Sequence, residues 1–589
     1  MRYFPIIFSA IIIAVLNITN CWAQESINQD VKVVKAYSPT VSDAFKISYM
    51  PVLDDSTTYN PKFNYRILSA SVETNYQPAT LSPAKINTSR KEYLHKSYIK
   101  GGVGNYSTFL GELGYNILAD EKYVLGLNVG HLSSFGDITL ENDVTADAPY
   151  GNTWAAADFK HFFDDKTLNV NIDFIHNTYR YYGFQTLNSD NTYWLSTGNG
   201  TGNLIPGNDL IPDDKQRLSG FKASIGIANN ESDERKTKYS INGEIDAFGN
   251  RTGVNQLGFN IGGTLYRPVN NIGFGLEALI GGYKTSVPDT IGPMFTFNDR
   301  SQTIIKVNPS LNFNFDRARL KVGLLIAGVI DTQGDEFYLT PDILGELTVV
   351  EGIATVYGGI TGKVNLNDYR SIQYENIFAS PDVNVKSSVY GLNLIAGIKG
   401  NFSSSTSFAA GVEYGFFNNE HFWINKNYQL PPPSPEVMGN YHHSNLFDVV
   451  YDDGSLLTVK GELLYKPKAG VEINLEGAYY GWNLDDLKEA WHMPEVELGA
   501  RANFNVLKNV YASLGVKYLG ERMAFDISEE DQVKKLKGVV DLNIGGEYYF
   551  SKQWSFWVSV NNLAATKYYK WNGYPMQGLN AKAGVIYAF

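Results

Sequence analysis

The sequence predicts an all-β fold: a transmembrane outer-membrane β-barrel of about 22 antiparallel strands. Three observations predict it. Apolar and polar residues alternate in segments that run from residue 94 to the end of the chain. Tight polar turns take turns with long connections between those segments. Tyr, Phe and Gly dominate a chain in which no stretch after the N-terminus carries eighteen consecutive apolar residues.

Composition sets the bounds. The 589 residues include 39 Tyr, 32 Phe and 55 Gly but only 19% charged residues, a strand-and-turn balance and not a helical one. The chain is polar on average, which excludes a bundle of membrane helices. It does not exclude a barrel, whose strands are oily on one side only. A net charge of −12 without a basic stripe excludes a nucleic-acid binder.

The N-terminus reads as a signal peptide over residues 1–23. Arg2 is the positive start, and Ile6 to Leu16 is an apolar core too short to span a bilayer. Cys21-Trp22-Ala23 places small residues at the two positions a signal peptidase reads. Ile18-Thr19-Asn20 is a poor lipoprotein signal ahead of Cys21. Cleavage after Ala23 removes the single cysteine, leaving an exported chain without disulfide or thiol chemistry.

Residues 24–93 form an N-terminal periplasmic or lumenal segment. Asp30 to Pro51 opens with Val31, Val33 and Val34 and reads as an exported N-terminal strand. Lys62 to Tyr76 is bracketed by Pro61, Pro78 and Pro83, which suits an extended run along a wall.

From residue 94 the alternation is clear. In Gly470–Tyr480, Val471, Ile473 and Leu475 share one face while Glu472, Asn474 and Glu476 share the other. In Thr167–Ile175, Leu168, Val170, Ile172 and Phe174 oppose Asn169, Asn171 and Asp173. An apolar outside and a carboxylate-lined inside fit a water-filled lumen. The short turns fall at 119–122, 163–166, 268–271, 316–317, 401–404, 466–469, 506–509 and 551–553. The long gaps fall at 135–151, 181–216, 285–301, 366–385, 419–454, 483–493, 519–534 and 563–577. Sorting the short turns to one end, with both termini there, requires an even number of strands and puts that end in the periplasm.

The last strand, Gly578–Phe589, must pair with the first, near Tyr93–Gly104, because an open edge in hydrocarbon costs several kcal/mol per unpaired group. Tyr587 and Phe589 then sit low on the outer wall, in the aromatic girdle.

The closing segment carries Asn561-Asn562-Leu563, Tyr568-Tyr569, Trp571, Gly573-Tyr574-Pro575, Gly578 and the terminal Phe589. It resembles the closing hairpin of TonB-dependent outer-membrane receptors of the Bacteroidetes type. The resemblance covers 94–589, with its sharp motif in the last thirty residues. It implies an outer-membrane solute receptor and transporter. It also implies the lipid bilayer as surroundings, and Phe589 resembles the signal read by the barrel-assembly machinery. TonB would be a further partner, and the Val31–Val34 stretch resembles the segment that pairs with it. One departure stands: the family carries a plug ahead of the barrel, and 24–93 offers about half of what a plug needs.

No catalytic constellation emerges, and no cofactor is implied. There is no G-x-S-x-G elbow and no H-E-x-x-H. The adjacent His442 and His443 point apart on an extended chain, poor geometry for a metal. Asn188–Asn191 and Asn208–Asp214 lack calcium-loop spacing and read as solvated loop carboxylates and amides. Binding is expected of the loop aromatics instead. Tyr193 and Trp194 in 181–216, with Phe422, Trp423, Tyr428 and Tyr441 in 419–454, offer flat apolar area with polar tips. The same rings also fit an upper aromatic belt with a packed lid. Lys460, Glu462, Glu472 and Glu476 are expected to face the lumen and to pair across neighbouring strands. Two functions fit: a barrel that binds or transports a solute, or a non-transporting scaffold for a partner outer-membrane protein, lipoprotein or secretion assembly. An open lumen this wide would leak, so the N-terminal segment, folded loops or another subunit must block it.

Overall fold

The computed structural model describes residues 96–589, except 120–121, 142, 184–191, 197–201, 207–213, 231–235, 289–298, 427, 431–440, 444, 527–528 and 530. The expected signal peptide and the 24–93 segment lie outside the described residues. Twenty-two antiparallel strands form one sheet, each paired with its neighbour in sequence, from Ser97–Gly104 to Asn580–Ala588. The first and last strands pair from Tyr98↔Ala588 to Gly104↔Lys582, which closes the sheet. Ser97 N–H donates to the Phe589 carbonyl at 3.0 Å, and Phe589 N–H returns the bond at 2.9 Å. The chain is therefore a transmembrane outer-membrane β-barrel.

The two faces of the wall are as the alternation requires. Ile99, Val103, Ile172, Phe174, Ile245, Leu257, Ile261, Leu475 and Val585 are exposed large apolar groups. Lys100, Asp173, Glu472 and Lys582 line an internal cavity. An exposed apolar surface on this scale belongs against lipid. At the short-turn end, Trp554 packs on Tyr587 with centroids 4.7 Å apart, and Tyr587 stacks on Phe589 at 5.6 Å. Asn270 and Gly470 take left-handed backbone conformations there, which lets two-residue connections reverse the chain. At the seam, a Cβ on Gly102 would sit 2.3 Å from the Trp557 ring, and one on Gly584 would sit 1.9 Å from the Gly101 carbonyl. Only glycine admits that approach.

One stretch departs from its sequence reading. Residues 419–454 were expected as a loop. Instead the strands Thr406–Asn425 and Phe447–Lys468 stay paired as far as Asn425↔Phe447, and only 426–446 connects them. Register shifts between Phe417 and Glu420, where Asn419 adopts φ 54°. This bulge breaks the alternation and hides the strand. With 20 and 22 residues, the pair is about twice the length that a tilted strand needs to span a bilayer.

Candidate functional site

The outer end of the barrel is closed by its own loops. Connection 366–387 begins with a short helix, Tyr369–Glu375. Asp368 caps it: its carboxylate accepts the Ser371 N–H at 2.6 Å, and Ser371 Oγ accepts the Asp368 N–H at 3.0 Å. One end of this connection is fixed to strands Lys238–Asn250, Asn255–Val269 and Ile272–Ser286. Gln256 donates to Asp368 at 2.7 Å, Asn250 to the Tyr369 hydroxyl at 2.9 Å, and Tyr283 OH to the Asn367 carbonyl at 3.0 Å. Arg370 pairs with Asp246 at 3.0 Å.

The other end reaches strand Thr406–Asn425. The Glu375 carboxylate meets His421 Nε2 at 2.8 Å and accepts the Trp423 indole N–H at 2.6 Å. Burial alone would raise the Glu375 pKa, but the His421 imidazole and these two hydrogen bonds hold it below the usual carboxylate range. Lys426 pairs with Asp382 just beyond. Five strands lie between the two anchorages, so the connection crosses the mouth as a chord.

Connection 562–579 folds in to meet it. Phe378 stacks on Tyr574 with centroids 3.6 Å apart and planes 19° from parallel. Tyr182 meets the Tyr574 edge at 5.0 Å and donates to the Pro575 carbonyl at 2.9 Å. Tyr574 is fully buried, and its hydroxyl donates to the Asn445 carbonyl. His492, from connection 485–495, ties this layer to the wall. Its Nδ1 lies 2.8 Å from the Trp423 carbonyl, and its Nε2 accepts the Asn572 N–H at 3.3 Å. The two bonds require a neutral ring with the proton on Nδ1. Burial keeps it neutral, lowering the pKa to about 3. The result is a hydrophobic cap with Tyr179, Phe248, Ile372, Trp423, Phe447 and Trp571 among its buried members.

Beneath the cap lies a chamber of about 1440 Å³ along the wall formed by the first strands and the last ones. Its polar lining includes Lys100, Glu112, Asn128, Asp173, Glu547 and Lys582, and the cap contributes Phe378, Lys570, Trp571 and Met576 to the roof. Glu112 accepts from Tyr98 at 2.5 Å and Asn128 at 3.1 Å, and Glu547 accepts from Ser555 at 2.5 Å.

The residues expected from sequence to bind ligand are dispersed. Phe422 and Trp423 lie in a strand and are fully buried, Phe422 against Trp482 and Trp423 against Trp571. Tyr193 and Trp194 lie in Thr192–Ser196, paired with Gly202–Pro206. Tyr428 and Tyr441 lie in a second hairpin, Tyr428–Leu430 with Tyr441–His443. The side chains of those four lie outside what is described. On the lumen wall, Glu462 faces Glu476 in register, and Lys460 faces Gly411 and Ala478. Glu472 pairs with Lys466 at 2.9 Å. Tyr587 and Phe589 stand in the rim described above. Sequence reasoning missed Tyr369, Glu375, Phe378, His492 and Lys570. The signal within reach was the density of Tyr, Phe and Trp in 366–385 and 563–577.

No family model matches the sequence, and no curated protein matches it. Solved structures do match in fold. The ferripyoverdine receptor of the Pseudomonas aeruginosa outer membrane has a TM-score of 0.57 at 12% identity, over 85% of this chain and 73% of that one. The fold is that of the outer-membrane receptors. The siderophore receptor PirA of Acinetobacter baumannii gives 0.58 at 11% identity, over 85% and 81%. The ferric-catecholate import receptor Fiu of E. coli K12 gives 0.57 at 10%, over 84% and 82%. At this identity the likeness is one of barrel architecture, and it matches the expectation drawn from the closing segment.

Proposed function

We propose that this barrel takes a solute through the outer membrane, holding it in the lumenal chamber, with the in-folded connections as its gate. The observation that carries the reading is a polar-lined chamber of about 1440 Å³ roofed by a cap that reaches wall to wall. A cavity of that size holds a solute of several hundred daltons. The solved neighbours named as import or siderophore receptors support the same reading by their architecture. The loop hairpins with Tyr193, Trp194, Tyr428 and Tyr441 would make first contact. Coupling to TonB would supply the energy for opening, and assembly would run through the barrel-assembly machinery.

The packing of the cap also favours a second reading. A roof with a stacked Phe378–Tyr574 pair and, among the described residues, an interior of seventeen buried ones resembles a permanent seal. A sealed barrel would serve as a scaffold for a partner outer-membrane protein or lipoprotein. Purified protein in liposomes separates the two. Graded neutral sugars should pass slowly in the wild type and faster once the cap is weakened. If no sugar passes with the cap intact or weakened, and a protein co-purifies in mild detergent, the scaffold replaces the conduit.

A further inference from the structure

The roof of the chamber holds a buried lysine amine with no hydrogen-bond acceptor among the described residues. Lys570 is 8% exposed, lines the chamber, and among the described residues its Nζ has no hydrogen-bond acceptor. Its surroundings explain why. The backbone on either side is held rigidly: the Arg522 guanidinium donates to the Lys570 carbonyl at 2.6 Å and to the Tyr569 carbonyl at 2.5 Å. Asn572 is fixed by Asn425 at 3.0 Å, Asp526 at 3.1 Å and His492 at 3.3 Å. The side chain between these anchors is held toward the chamber.

Glu375 and Glu497 attract the amine while Lys517 and Arg522 repel it, and neither carboxylate reaches hydrogen-bond distance of Nζ. The Glu375 oxygens already serve His421 and Trp423. The Trp571 ring lies 5.4 Å from Nζ, a favourable cation–π contact. The Trp557 indole N–H, buried on the chamber wall, also lacks an acceptor among the described residues. Burial drives the Lys570 pKa well below its ordinary value. A buried ammonium without a counter-charge is costly, and water can fill its hydrogen bonds but not return a charge.

We infer that Lys570 and the apolar roof around it form a binding site for the carboxylate of an amphipathic solute, whose body lies against Phe378, Trp571 and Met576. The carboxylate accepts from Nζ and restores the charge balance, while the rings cover the rest of the molecule. This deepens the solute-binding role proposed above and rests on it, since it names the chemistry of the cargo.

The probe is 4-(trifluoromethyl)benzoate, followed by fluorine NMR with the full chain in lipid nanodiscs. The neutral 4-(trifluoromethyl)benzamide is the control. Wild type should bind the benzoate saturably. Lys570→Met removes the charge at similar volume and should weaken it by about ten- to a hundredfold, the loss of one charge-assisted hydrogen bond. Lys570→Arg should stay within a few-fold of wild type, and the benzamide should bind equally to all three. Equal benzoate affinity in wild type and Lys570→Met, or no saturable binding in wild type, overturns the inference. Sugar flux in liposomes is read separately. Benzoate binding that depends on Lys570 without any sugar flux keeps the site and sinks the conduit; flux without such binding does the reverse.

Discussion

Replacing Tyr574 with alanine should open the barrel. The ring is fully buried at the centre of the cap. It stacks on Phe378, meets Tyr182 edge-on and bonds the Asn445 carbonyl through its hydroxyl. Truncating a buried aromatic costs about 3–5 kcal/mol. Within that sum the Phe378 stack accounts for about 1 kcal/mol beyond area. The wall strands are bonded to each other and not to the ring, so the loss falls on the equilibrium between docked and undocked cap. Each 1.4 kcal/mol is tenfold, so the undocked population should rise by roughly two to three and a half decades. Conductance of single barrels in planar bilayers reads this directly, as more frequent or longer openings. Heat-modifiable mobility on gels verifies that the variant is a closed barrel. A Tyr574→Ala protein that is folded by that criterion and conducts no more than wild type refutes the reasoning.

Other consequences are open to measurement. His492 is held neutral with its pKa lowered to about 3. Between that value and the ordinary histidine range near 6.5, the undocked cap binds one more proton than the docked one. Through His492, acid should therefore loosen the cap by about 1.4 kcal/mol per pH unit below about 6.5. Openings counted against pH check this, and a flat profile in wild type counts against it. Gly183→Val should mimic Tyr574→Ala more mildly, because a Cβ at Gly183 would sit 2.4 Å from the Tyr574 ring. Its conductance should fall between those of wild type and Tyr574→Ala. Gly584→Val should strain the seam by about 1–3 kcal/mol, seen as a lower temperature for loss of the compact gel band. Substituting Phe589 with a charged residue should reduce the folded fraction in isolated outer membranes, if the terminal aromatic is read during assembly.

The wall of the barrel was legible because lipid enforces period two on every strand. Leu168 to Phe174 and Val471 to Leu475 announce their faces without help from tertiary contacts. The cap was not legible, for the opposite reason. Tyr369, Phe378 and Tyr574 lie in connections with no periodicity, and their burial depends on folding inward over a lumen that sequence does not reveal. Phe422 and Trp423 were misplaced by two residues of bulge: Asn418 and Asn419 shift the phase, and a continuing strand then reads as a loop. Lys570 looks like any loop lysine until Arg522 and Asn572 are seen to fix the chain on either side of it.

The over-long hairpin has a consequence for how the gate responds to its surroundings. A 20-residue strand rises about 3.3 Å per residue, or roughly 47 Å once a tilt of about 45° is allowed. The apolar band it crosses is only about 25 Å tall, so roughly 20 Å stands clear of the lipid. Glu375 meets the wall at His421 and Trp423, close to the top of that mast. The latch is thus insulated from the membrane: thinner or thicker bilayers can tilt the base of the cylinder while the roof keeps its fit.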